Sequence, residues 1–126
     1  MTDQSIEQEI QAKGLTAPRI TPADIEANIA SEHYFTAADG WRGRRLERPI
    51  AEIVVPLPTG LEPLALLTFC VLVLRNGHRI VGVNEGPVCA ENFDAELGRT
   101  LARQKAIDQI WPLMGYALRS KLSEAA

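Results

Sequence analysis

Two apolar, β-branched runs, LTFCVLVL ending at Leu74 and RIVGVN starting at Arg79, flank an Asn76-Gly77 pair. That arrangement constrains the chain more than any other, because Asn-Gly between such runs is the strongest short-range hairpin signal: a type I′ turn needs positive φ at both central residues. With Asn76 and Gly77 central, Arg75 is predicted opposite His78, Val73 opposite Ile80, Leu72 opposite Val81, Val71 opposite Gly82 and Cys70 opposite Val83. One face would carry Phe69, Val71, Val73, Ile80 and Gly82, the other Cys70, Leu72, Leu74, Val81 and Val83. Both are apolar, whereas a sheet wetted on one side alternates apolar with polar. The chain's own helices are therefore expected on one face and a second copy on the other.

At 126 residues and 46% apolar composition the chain suits a single domain spanning 1–126. Sixteen acidic against 13 basic side chains argue against broad adhesion to nucleic acid or anionic membrane. Cys70 and Cys89 lack a metal-binding spacing and read as small hydrophobes. The acidic, amphipathic start MTDQSIEQEIQAKG is unlike a signal peptide, and the run Leu64 to Leu74 is about half the ~20 residues of a membrane span. A reducing cytoplasm is the expectation.

The expected fold is α+β: a three-stranded antiparallel sheet, one strand plus the hairpin, packed with two N-terminal and two C-terminal helices. A first helix is capped by Asp3 or Ser5, carries Ile6 and Ile10 on one face and ends at Gly14. A second begins at Thr21-Pro22-Ala23-Asp24, with cap, Pro at the first turn and returning carboxylate in place, and runs to about Ser31. His33 to Thr36 reads as a strand. Residues 37–63 read as a long irregular segment rich in Arg and Pro. A helix from about Ala90 to Trp111 carries Phe93, Leu97 and Leu101 in one row and Ala102, Ala106 and Ile110 beside it; Pro112 ends or kinks it, and a last helix presents Met114, Leu118 and Leu122.

Candidate chemistry is sparse. Trp41, Arg42, Arg44, Arg45 and Arg48 crowd four guanidinium groups and an indole into eight residues, a combination suited to phosphate and base; His33 and Tyr34 join them as candidate ligand-binding residues. The same residues also read as a solvated loop whose arginines do nothing specific. No catalytic set is assigned: Glu32, His33 and Cys89 have the residue types of a nucleophile and its base, but no spacing brings them together. Nothing predicts a metal site or a cofactor. Phe69, Val71, Val73, Ile80, Trp111 and Tyr116 are the candidate interface residues for a homo-oligomer.

The run TPADIEANI from Thr21, the block LTFCVLVLRNG from Leu67, and ENFDAELGR and IWPLMGYALR near the C-terminus resemble a family of small tailed-phage and prophage proteins named for gene products forty-nine and sixty-six of two enterobacterial phages. The resemblance covers nearly the whole chain, least at 37–63. It implies a phage or prophage accessory protein acting in the bacterial host cytoplasm, and it implies no reaction. The chain departs from the family's pattern at Glu85-Gly86-Pro87-Val88-Cys89-Ala90, so no role is carried to that turn.

These readings lead to a homo-oligomeric binding protein, not an enzyme, that interferes with a host component, defence included, by sequestering a nucleotide-type signal. A protein–protein interaction module without small ligand and a nucleic-acid-associated accessory protein are the alternatives. Fold-level analogy alone does not separate them.

Overall fold

The computed structural model describes residues 2–45 and 56–126. Its elements run α1 (Asp3–Ala12), α2 (Pro22–Ala27), β1 (Ile29–Thr36), α3 (Ala37–Arg45), β2 (Thr68–Leu74), β3 (Arg79–Asn84) and α4 (Ala95–Ala125), with short 3-10 turns at Glu62–Leu66 and Ala90–Asn92. The three strands form one antiparallel sheet in the order β1-β2-β3, so the expected α+β class and sheet are present.

Local chemistry sets the helix starts. Asp24 N–H donates to Thr21 Oγ1 and Thr21 N–H to Asp24 Oδ2, the reciprocal capping box foreseen for α2. α1 is capped by Thr2 rather than Asp3 or Ser5, through the same exchange with Ser5. Gly14, at φ +68°, takes the left-handed position expected of it. α2 stops at Ala27, short of Ser31, because its end is tied to the hairpin: Arg75 N–H donates to Asn28 O and Arg75 Nε to Ala27 O. The chain enters β1 four residues before His33.

That tie also changes the turn. Gly77 N–H donates to Leu74 O and Leu74 N–H to His78 O, so Arg75, Asn76 and Gly77 form a three-residue loop. Only Gly77 has positive φ, at +86°, which excludes a type I′ turn and matches a turn closed by a glycine bulge. The register moves by one residue: Val73 pairs with Arg79, Leu72 with Ile80, Val71 with Val81, Cys70 with Gly82 and Phe69 with Val83. Ile80 and Gly82 thus join Cys70, Leu72 and Leu74 on the helix-covered face, while Val81 and Val83 join Phe69, Val71 and Val73 on the other. Ile80 is 4% exposed and part of the core, which corrects its assignment to the outer interface.

The core lies between the covered face, α2 and α4: Ile25, Cys70, Leu72, Leu74, Ile80, Ala102, Ala106, Ile107 and Ile110. On α4 the small-residue row faces the sheet, and Leu97 and Leu101, expected inside, are exposed. The reason is proximity: a Cβ on Gly82 would lie 2.0 Å from Ala102 O and 2.9 Å from Ala106 Cβ, so helix and strand meet where only small side chains fit. α4 continues through Pro112 as one helix instead of two. Asp108, whose carbonyl the missing N–H would serve, is exposed, so water can serve it. No α4 residue beyond Ile110 is buried.

Candidate functional site

The outer sheet face is apolar and open among the described residues. Phe69, Val71, Val73 and Val83 are half-buried, Val81 is 46% exposed and Phe35 40% exposed. Phe35 stacks on Phe69 with ring centroids 5.4 Å apart. His33 lies on this face through its pairing with Val71, its Nε2 3.1 Å from Ser31 Oγ. Six apolar side chains on a three-stranded face, against the alternation expected of a wetted sheet, leave an apolar surface open among the described residues.

α3 departs from the end of this strand ladder. Thr36 N–H donates to Asp39 Oδ2 and Asp39 N–H to Thr36 Oγ1, which starts a helix where an irregular segment was expected. Ala37 N–H donates to Leu67 O and fastens the helix to β2. Gly40 and Gly43 hide this helix from a propensity reading. Trp41 and Arg42 are half-buried and Arg44 and Arg45 exposed; the Arg45 guanidinium lies 5.4 Å from the Trp41 ring centroid, a cation–π contact. Arg42 Nη1 is 4.0 Å from Asp39 Oδ1. Three arginines at this helix C-terminus also complement its dipole. Arg48 lies outside the described residues.

Tyr34 does not belong to this cluster. Extended neighbours point to opposite faces, so His33 is outside while Tyr34 pairs with Cys70 on the covered side. There Tyr34 Oη donates to Glu32 Oε1, and Arg103 of α4 holds Glu32 through Nε (2.8 Å) and Glu26 through Nη1 and Nη2 (2.9 and 2.7 Å). The Arg103 hydrogen bond lowers the Glu32 pKa; burial, then the bond to Glu32, raises that of Tyr34; the two carboxylates raise that of Arg103. This network joins α2, β1 and α4 and was invisible in the sequence, where Glu26, Glu32 and Arg103 each sit on a solvated arc.

Among the enzyme candidates, Glu32 and His33 face opposite ways, and Cys89 is exposed in the segment after β3. Cys70 is fully buried and its thiol pKa is raised by that burial. Trp111 packs half-buried against the core, and Tyr116 is 78% exposed. No described helix is long and apolar enough to cross a membrane.

A family model for a phage protein family, N4 Gp49/phage Sf6 gene 66, matches residues 20–122, which leaves α1 outside the match. No curated protein matches the chain. No solved structure matches it either.

Proposed function

We propose a binding function for this chain, which belongs to the phage protein (N4 Gp49/phage Sf6 gene 66) family. It assembles with copies of itself through the outer sheet face and uses α3 to hold an anionic, nucleotide-type ligand, sequestering a host signal. The observation that carries this reading is the open apolar face, Phe69, Val71, Val73, Val81 and Val83, ending beside a helix that bears Trp41 and three arginines.

Magnitudes decide how far the contact must reach. A face of three strands and about seven residues measures roughly 23 by 14 Å, or about 330 Å². A stable pair needs about 800 Å² per partner. The sheet alone falls short, so the contact extends onto the adjoining surface, and α3 starts at its end. Trp41 and the arginines then lie at the rim of the contact, where one guanidinium fork and one indole face can grip phosphate and base.

Isothermal calorimetry against mono-, cyclic and ADP-ribose-type nucleotides tests the ligand. The reading expects saturable binding that an Arg44→Ala, Arg45→Ala double variant weakens at least tenfold; flat titrations across the set overturn it.

A further inference from the structure

A cleft lies at the end of the sheet, between the last residues of β1, Phe35 of the outer face included, and the first turns of α4. It encloses about 120 Å³ and is lined by Tyr34, Thr36, Asp39, Thr68, Phe93 and Arg99. Thr68 is 2% exposed, and its Oγ1 has no hydrogen-bond partner among the described residues. Leaving such a group without a partner forfeits its hydration with nothing in return, so a buried hydroxyl without a partner needs a reason. Gly98 sharpens the point: a Cβ there would lie 3.1 Å from Thr68 Oγ1, so the hydroxyl faces a stretch of helix left bare. Arg99, one residue on, is exposed and makes no ion pair or hydrogen bond among the described residues.

We propose that this cleft is a binding site for a small carboxylate carried on an aromatic or short aliphatic body, gripped by the Arg99 guanidinium and the Thr68 hydroxyl. The guanidinium fork matches a planar carboxylate bidentately, and the hydroxyl supplies a third donor. The start of α4 at Ala95 adds a favourable dipole, although Asp94 Oδ1 already occupies the Leu97 N–H. A doubly charged phosphate suits the cleft less well, because the Asp39 carboxylate also lines it. The rings of Tyr34 and Phe93 offer the body an apolar wall. The site uses none of the α3 arginines and does not depend on self-association.

Amide and guanidinium NMR titration of the full chain with benzoate tests it, with benzamide as the neutral isostere and inorganic phosphate as the bodiless anion. The proposal expects saturable shifts at Thr68, Phe93 and Arg99 with benzoate and none with benzamide, and weaker binding of phosphate. Arg99→Gln, on an exposed position, weakens benzoate roughly tenfold or more, the loss of a charged hydrogen bond. Thr68→Val weakens it as well while leaving the thermal midpoint unchanged or higher, since the hydroxyl loses no partner; Arg44→Ala with Arg45→Ala leaves it intact. Shifts that do not saturate, equal shifts from benzamide, phosphate binding as tight as benzoate, or an Arg99→Gln variant that binds normally would each overturn the proposal.

Discussion

Among the glycines of the described residues, Gly82 has the closest neighbours. With Ala102 O 2.0 Å from the place a Cβ would occupy, and Ala106 N at 2.6 Å, a methyl group there meets helix backbone that cannot rotate aside. Gly82→Ala should cost about 2–4 kcal/mol, at the upper end of overpacking or beyond it, measured by chemical denaturation. A cost under about 0.5 kcal/mol would mean that α4 does not cross the sheet at this point. Glu7 offers a second test at this scale. Only 7% exposed and held by the Arg19 guanidinium, its carboxyl is pulled down to about 2 from an ordinary value of 4.5. A carboxyl depressed in the folded state stabilises it above the unfolded pKa and loses that contribution as pH falls through the folded one. The hold on α1 is therefore complete at neutral pH and declines between about pH 4.5 and 2, which side-chain NMR of Ile6 and Ile10 would follow. Glu7→Gln should remove that transition, and its persistence would refute the assignment.

At the scale of elements, the parts legible in the sequence are those whose causes are local. The Thr21/Asp24 box and the Gly14 cap each involve residues a few positions apart, and both stand where they were read. The hairpin register was misread because its cause is distant: Asn28 O captures the Arg75 N–H, and the loop takes three residues instead of two. Gly77→Ala should accordingly cost about 1 kcal/mol, the penalty of a left-handed residue without glycine, while Asn76→Ala costs less, as Asn76 has negative φ and its side chain only accepts, through Oδ1, a hydrogen bond from His78 N–H. Equal costs at the two sites would restore the type I′ turn. α3 went unread because its start depends on Thr36 and Asp39 outweighing two glycines. Both apolar rows of α4 are legible in the sequence, but size, not hydrophobicity, selects Ala102 and Ala106 over Leu97 and Leu101 as the side that meets Gly82. Of the candidate ligand residues, the helix period brings Trp41 and Arg45 together, whereas the strand period separates His33 from Tyr34.

For the whole molecule, one sheet with helices on one side leaves the question of the other side. The sequence pattern already held that both faces are apolar, and the register correction alters membership without altering that balance: Ile80 went in, Val81 and Val83 came out. Arg103 fixes the covered side from outside the core by joining Glu26 and Glu32. Arg103→Ala should lower stability by about 1 kcal/mol, as befits a partly exposed charged network, with the loss shrinking at high salt; a salt-independent loss would point to packing of its stem instead. The outer side has no such cover among the described residues, and association of copies is the account's way of drying it. Sedimentation velocity on the intact chain and on Val81→Lys, which places a charge at the most exposed apolar strand position without touching the core, is the direct measurement. The account predicts a concentration-dependent dimer or larger assembly that the substitution returns to monomer with its thermal midpoint preserved. A wild-type chain that stays monomeric at every concentration, or an assembly that Val81→Lys leaves intact, would contradict it.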